Sequence, residues 1–423
     1  MILAQGTLLP DSQLSQVLSG LEGEIDRTRA SQALSAEVVI QTCARLLDRL
    51  DRGELDGLLA QYATPQVLEA LARYRALLRP ESLRYKLSAE LGDLADGPLS
   101  RPFGRSLAVP LGTLLHITAG NLDGLPAFSA LEGLLTGNVN ILKLPRGDSG
   151  LSLTLLHLLT REEPRLAPFL YAFSIPSTDS ASLQALARLA DGIVTWGGEE
   201  AIRAVRAMAP PGCKLIEWGH RLSFVYLSGT AQPRELAALA RHIVDTGGLL
   251  CSSCQVVFLD TEDSDEALAL CRSLLPALEQ AALARHTTPG QAAQATLYGY
   301  EHFLEQSLRH TGAQVLRGRG CSVTLCPDRE LELSPLYGNV LVKCLPRAEL
   351  FSALRRQRGR LQTAGLICPP EQRAELVALL ARAGVTRITA AGDLSHPFLG
   401  ENHDGEFPLR RYVRMVDVEE SPE

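Results

Sequence analysis

The sequence predicts an α/β protein: two α/β domains on parallel sheets, with an N-terminal helical segment ahead of them. Three observations predict it. From residue 106 onward, short apolar runs alternate with amphipathic stretches of about ten residues, the pattern of βαβ units. Residues 11–95 carry helical periodicity instead. The chain has 423 residues, 46% of them apolar, which favours two or three domains over one.

The elements follow in order. LSAEVVIQTCARLLDRL (34–50) reads as a helix with Ser35 as N-cap and an apolar stripe of Val38, Val39, Ala44, Leu46, Leu47 and Leu50. SLAVPLGTLLHITAG (106–120) is an apolar run ending in glycine, and LDGLPAFSALEGLLTG (122–137) a helix. VNILKLP (139–145), FLYAFSI (169–175), DGIVTWGG (191–198) and CKLIEW (213–218) read as strands. Helices at 149–161, 180–190 and 199–208 separate them. Right-handed crossovers place the loops after such strands along one edge, where parallel sheets bind ligands. LSFVYLSG (222–229) leads into a helix, PRELAALARHIVDTGG (233–248), closed by two glycines. QVVFLD (255–260) is a strand, and two or three helices fill 264–311. GNVLVKCL (338–345), LICP (366–369) and VTRITAAG (385–392) are strands, with helices at 347–357 and 370–382 between them. The expected domains are 1–100, 101–228 with the 395–423 tail returning to it, and 229–394.

Net charge is -7 and the isoelectric point near 5.8, with no strongly basic stretch, so no nucleic-acid footprint is expected. No run of eighteen apolar residues suggests a membrane span. MILAQGTLLPDSQLSQ lacks the basic and long apolar regions of a signal peptide, so the expected location is cytoplasmic.

Neither G-x-G-x-x-G between a strand and a helix nor G-x-x-x-x-G-K-[ST] occurs. The glycine turns that remain are AGN (119–121) and WGGEE (196–200). Gly197 and Gly198 stand between strand and helix, where backbone N–H groups can face a pyrophosphate or simply make a tight turn.

Nine cysteines are present. LLCSSCQVV (249–257) sets two of them three residues apart. Cys251 and Cys254 are open to four readings: zinc ligands with Cys321 and Cys326, a redox pair, one nucleophile with a bystander, or two buried thiols. A polar constellation favours the nucleophile. Glu217 ends an apolar strand, where a carboxylate is costly unless paired or functional. Asn121 follows Gly120 and is a candidate amide donor to an oxyanion. Lys143 is a charge inside an apolar strand, with Arg146 three residues on.

HITAGNLDGLP, GNVNILKLPRGDS, ADGIVTWGGEEAIR, KLIEWGHRLSFVYL, GGLLCSSCQVVF, LQTAGL and NHDGEFPLRRYVRMVD, in this order, resemble the aldehyde dehydrogenase superfamily. Within it they resemble the LuxC-type acyl-CoA reductases. The resemblance covers residues 100 to 416 and implies an aldehyde-dehydrogenase-like fold, with 101–228 as the cofactor-binding domain and 229–394 as the catalytic one. It implies that Cys251 is the nucleophile, Asn121 part of the oxyanion hole and Glu217 the general base. Lys143 matches the lysine on the adenosine ribose, and Gly197 and Gly198 the turn at the cofactor pyrophosphate. Cys254 falls outside the conserved pattern. Pro335, in PLYGNV, stands where the dehydrogenases carry a ribose-binding glutamate, and Gly248-Leu249 replaces their Gly-Gln.

The function so implied is NADPH-dependent reduction of an acyl-CoA or acyl-protein thioester to an aldehyde, through an acyl-cysteine. Arg146 is the candidate partner of the NADP 2′-phosphate. A homo-oligomer, an acyl-protein synthetase partner and no metal are expected with it. Aldehyde oxidation at the same cysteine is the alternative within enzymes, and a non-catalytic zinc-structural or binding protein the alternative outside them.

Overall fold

In the computed structural model the run VNILK is buried at every position, as a strand covered on both faces must be. The structure describes residues 1–62, 65–95, 97–102, 104–118, 120, 124–285, 289–396 and 400–419. By its contacts the chain divides into two units, residues 1–219 with 398–423, and residues 220–397.

The first unit opens with a hairpin, β1 (Ile2–Ala4) and β2 (Thr7–Leu9). Helices α1 (Leu14–Ser31), α2 (Ala36–Asp51), α3 (Asp56–Leu59), α4 (Pro65–Leu77) and α5 (Pro80–Leu91) follow. Ser35 is the N-cap residue of α2, without a capping side-chain bond. Then come β3 (Leu99–Arg101), β4 (Gly104–Pro110), β5 (Thr113–Ile117), α6 (Leu125–Leu135), β6 (Val139–Lys143), α7 (Leu151–Glu162) and β7 (Leu170–Phe173). The unit continues with α8 (Ser180–Arg188), β8 (Gly192–Trp196), α9 (Glu199–Met208) and β9 (Lys214–Trp218). Its main sheet has the order β2-β1-β7-β6-β5-β8-β9, parallel from β7 to β9.

Two expectations are refined here. The N-terminal segment is helical over α1 to α5 as expected, and it packs within the first unit. β1 pairs antiparallel with β7 at the sheet edge, and Leu21, Ile25, Val39, Ile40 and Leu83 lie in the same core as the sheet. Three-residue strands carry no readable period, so the sequence hid them. The apolar run 106–120 breaks into β4 and β5 at Gly112, where φ is 140° and an added Cβ would stand 2.1 Å from an Asp191 carboxylate oxygen.

The second unit holds β10 (Leu222–Leu227), α10 (Pro233–Thr246), β11 (Cys254–Leu259), α11 (Ser264–Ala284), α12 (Pro289–Arg309), β12 (Gln314–Gly318) and β13 (Cys321–Cys326). β14 (Asn339–Cys344), α13 (Arg347–Arg355), β15 (Leu361–Ile367), α14 (Pro370–Ala383) and β16 (Arg387–Ala390) complete it. The sheet order is β12-β13-β14-β11-β10-β15-β16, parallel except for β12. β10 therefore belongs here and not with residues 101–228, because its ladder partners are β11 and β15. A capping box between Gln232 and Glu235 starts α10, and Gly247 in the left-handed conformation ends it. α11 is long and apolar enough to cross a membrane, and here it packs on α10, β12 and β13 with Ala267, Cys271, Leu274 and Leu278 buried.

The tail, α15 (Pro408–Arg411) and β17 (Val413–Glu419), lies in the first unit. β17 pairs antiparallel with β4 along its whole length, and β3 completes this three-stranded sheet.

Candidate active site

In the first unit, register aligns Phe173, Lys143, Ile117, Thr195 and Glu217 on one rung at the carboxyl ends of five parallel strands. Lys143 and Glu217 thus face the same side of the sheet, three strand spacings or about 14 Å apart. The Lys143 ammonium donates to Ser177 Oγ at 3.2 Å, and burial pushes its pKa below the usual lysine value. Arg146 is exposed in the turn after Pro145.

Gly197 and Gly198 join β8 to α9. Gly198 is the N-cap of α9 and offers no side-chain cap to the N–H groups of the first turn. A Cβ added at Gly198 would meet nothing within 4 Å. These features fit a nucleotide pyrophosphate, with Lys143 and Arg146 as the nearby cations. Glu199 and Glu200 put negative charge in the same first turn, so the basic side chains have that to offset as well.

Glu217 is not a bare carboxylate. Arg206 of α9 donates to both of its oxygens, each at 2.7 Å. A paired carboxylate is what a strand-end glutamate requires, and the packing of α9 on β9 selects Arg206 as its partner.

The opposite side of this sheet carries an aromatic group that the sequence reading missed. His403 of the tail stands with its ring centroid 4.9 Å from both Trp196 and Trp218. Trp196 Nε1 donates to Ser129 Oγ, which bonds His116 Nδ1, and His116 Nε2 bonds Asn140 Oδ1 at 3.0 Å. Burial pushes the His116 pKa down to about 4, so the ring is neutral. Asn121, the expected oxyanion donor, lies outside the described residues.

In the second unit, α10 ends in Gly247 and Gly248, both at positive φ, and a turn carries the chain to β11. Cys251 is on this turn and partly exposed. It therefore sits at the amino edge of the second sheet, not at the carboxyl edge where ligand loops were expected. Ser223 of β10 donates from Oγ to the Cys251 carbonyl at 2.7 Å and accepts from Thr363 N at 3.0 Å. Gln362 of β15 points its side-chain amide at the Cys251 sulfur, Nε2 to Sγ 3.2 Å.

The turn is fastened from behind. Gln255 is buried; its Nε2 donates to the Gly248 carbonyl and its Oε1 accepts from both Ser334 N and Oγ. Tyr337 N donates to the Gly247 carbonyl at 2.7 Å. Pro335 thus belongs to a segment that braces the cysteine turn. LQTAGL and the glutamine of CQVV were visible in the sequence, but their reach depends on strand register.

Cys254 differs from Cys251 in every respect that governs reactivity. It is buried, burial pushes its thiol up to about 12, and its Sγ bonds the Val256 carbonyl. Cys321 and Cys326 sit at opposite ends of β13, about 16 Å apart at strand rise. That span rules out one ion ligated by both, and among the described residues no three His, Cys, Asp or Glu side chains group to hold a metal.

The chain is 24% identical over 322 residues to a long-chain acyl-protein thioester reductase of Aliivibrio fischeri, and the match covers 74% of this chain and 65% of that protein. It is 25% identical over 321 residues to the protein of the same name in Photorhabdus laumondii, with the same coverage, 74% and 65%. The chain thus spans about two thirds of the length of these relatives. Among solved structures it resembles a methylmalonate-semialdehyde dehydrogenase from Oceanimonas doudoroffii, with a TM-score of 0.74, 14% identity, and coverage of 99% of this chain and 97% of that one. A lactaldehyde dehydrogenase matches with a TM-score of 0.68 at 14% identity, over 99% of this chain and 95% of that one. The fold is that of the aldehyde dehydrogenases. Over residues 34–415 the sequence matches the acyl-CoA reductase (LuxC) family, and the chain belongs to that family.

Proposed function

We propose that this protein reduces an acyl thioester to an aldehyde through an acyl group carried on Cys251, with NADPH as the reductant. The observation that carries the reading is the contrast within CSSC. One thiol is partly exposed, on a braced glycine turn and touched by an amide, while its neighbour is buried and inert. The names of the relatives favour an acyl-protein donor, and acyl-CoA presents the same thioester.

The Cys251 thiolate attacks the thioester carbonyl, forming a new S–C bond and moving the carbonyl pair onto oxygen. The Asn121 amide and a backbone N–H at Cys251 are the proposed donors to that oxygen; loss of one such donor typically costs about 10²–10³ in rate. Collapse expels the donor thiolate and leaves the acyl group on Cys251. Bound NADPH would supply a hydride. The thiohemiacetal on Cys251 then breaks its C–S bond to give aldehyde and free thiol, one hydride and one proton being consumed.

Lys143 is the proposed partner of the adenosine ribose and Arg146 of the 2′-phosphate. Gly197, Gly198 and the first turn of α9 receive the pyrophosphate. With proline at 335 the ribose contact of the dehydrogenases is absent or rebuilt from another residue. Glu217 handles a proton only when it leaves Arg206, which keeps it from activating water against the acyl-enzyme in the paired state. A homo-oligomer and an acyl-protein synthetase that loads the donor complete the proposal.

The test is mass spectrometry of the protein after mixing with acyl-CoA or acyl-protein, beside a screen of NADPH oxidation over acyl chain lengths. Wild type is expected to carry one acyl adduct on the Cys251 peptide and to form aldehyde when NADPH is added. Cys251→Ala is expected to lose both, and Cys254→Ala to keep both within about threefold, since a buried protonated thiol is no nucleophile. An adduct that persists in Cys251→Ala overturns the assignment. Acid formed from added aldehyde, with no aldehyde formed from thioester, would favour oxidation instead.

A further inference from the structure

Cys251 stands on a turn between α10 and β11. Thiolates are commonly favoured at helix N-termini. Cys251 instead follows the C-terminus of α10 by a few residues, where the backbone dipole disfavours negative charge. Two nearby titratable side chains, His242 and Cys254, are neutral. Burial pushes His242 of α10 down to about 4 and Cys254 of β11 up to about 12.

The sheet supplies a donor from elsewhere. Leu222 pairs with Leu361 and Phe224 with Ala364, so Ser223 alone on β10 stands opposite two residues of β15, Gln362 and Thr363. This is a β-bulge, a device that re-aims a side chain beside a site. Ser223 locks it by bridging the Cys251 carbonyl and Thr363 N. The Gln362 carbonyl is held by Thr386 N at 3.0 Å. With both backbones pinned, the Gln362 amide reaches Sγ.

We infer that Gln362 is a catalytic residue, whose side-chain N–H donates a hydrogen bond to the Cys251 sulfur and stabilises it whenever it is a thiolate. The inference rests on the reading of Cys251 as the nucleophile. A hydrogen bond to an ionised acceptor is roughly twice as strong as one to a neutral acceptor. The bond is therefore strongest in the free enzyme, weakens while sulfur carries the acyl group, and strengthens again as the thiohemiacetal C–S bond breaks. No proton moves on the amide. Gln362 favours both the attacking and the departing state of the same sulfur.

The experiment is the rate of iodoacetamide alkylation of the Cys251 peptide across about pH 6 to 10, a range that brackets the reference thiol pKa of about 8.5. Wild type, Gln362→Met and Gln362→Asn are compared. Methionine keeps the length without the donor, and asparagine keeps the donor but is one methylene short. Arg360, Arg387, Asp393 and His396 are charged or titratable on the surrounding elements and are common to all three proteins, so they cancel. Both variants are expected to shift the alkylation midpoint upward by about one pH unit, so that alkylation near neutrality slows about tenfold. Gln362→Glu, which puts an acceptor at the sulfur, is expected to slow it further. Superimposable profiles overturn the inference, as does a downward shift, which would mean that the amide oxygen faces a protonated thiol. A missing acyl adduct in a wild type whose alkylation is normal would fail the proposed reaction and leave Gln362 untouched.

Discussion

The two seven-stranded sheets carry their candidate functional side chains at different strand ends and in different materials. The first uses charge at the carboxyl ends of its strands: Lys143 and Glu217 on one rung, with Arg206 across Glu217. The second uses uncharged hydrogen-bonding groups at the amino ends, the Gln362 and Gln255 amides and the Ser223 hydroxyl, around Cys251. The difference teaches which forces each edge depends on. The Arg206–Glu217 pair lies near solvent, where charges are screened and re-partnered at low cost, which suits an edge proposed to receive an ionic nucleotide. Neutral hydrogen bonds act only at contact distance, so the second edge depends on register, and there a small displacement is enough to lose a contact.

The largest effect should come where the sheets are alike. Among the described residues, His116 of β5 and His242 of α10, which packs in the second unit, are buried and neutral, and burial pushes both down to about 4. His116 gains a partial upward pull from Asn140 and His242 from Asp393, but desolvation outweighs both. His242 Nε2 accepts the Cys254 N–H at 3.1 Å, and a proton there would remove the acceptor. The folded pKa lies below the unfolded value of about 6.5, so between the two the unfolded chain binds more protons. The contribution is fully present above about pH 6.5 and is lost as the pH falls toward 4, about 3 kcal/mol for each ring. Urea midpoints measured through this window should drop steeply in wild type. His242→Gln should flatten only the part that reports the second unit. A wild-type midpoint that holds level down to pH 4.5, about the middle of the acid range, would remove this common feature.

Next in size is Gln255→Leu. The side chain is 1% exposed and all three of its hydrogen bonds run to backbone or hydroxyl groups behind the cysteine turn. Leucine fills the volume and leaves the Gly248 carbonyl and Ser334 N unpaired. The expected cost is about 2–3 kcal/mol in urea denaturation. Slower alkylation of Cys251 should accompany it, because Gly248 and Leu336 lose their fixed spacing. If stability falls while Cys251 reactivity is unchanged, the brace serves the fold alone, and the second edge is less dependent on register than its geometry implies.

The alternation of strands and helices was legible because buried parallel strands are nearly continuous apolar runs, as in VNILK and QVVF. As candidates, Cys251, Glu217, Lys143 and the Gly197-Gly198 turn stand out in the sequence because each borders or interrupts such a run. Arg206, Ser223 and Gln362 do not. Arg206 is one of several charges on α9, and only packing selects it for Glu217. Gln362 is unremarkable inside LQTAGL until a bulge turns it toward sulfur, and a bulge is a property of two strands together. The hairpin β1–β2 and the strand β10 show the same limit: partners, not composition, decide where a short strand belongs.

The smallest effect is expected at the charged edge. The Arg206 side chain is 61% exposed and Glu217 20%, so the guanidinium is hydrated with or without its partner. Exposed pairs recover little from Coulomb attraction after side-chain entropy and screening. Arg206→Ala is expected to leave the urea midpoint unmoved at low and at high salt. Glu217→Gln should behave in the same way toward denaturant, whatever it does to turnover. A wild-type advantage over Arg206→Ala that shrinks as salt is raised would mean that this pair contributes to the fold. The first edge would then rest on fixed contacts as the second does. The contrast between a charged edge that tolerates rearrangement and a neutral edge that does not would have to be given up.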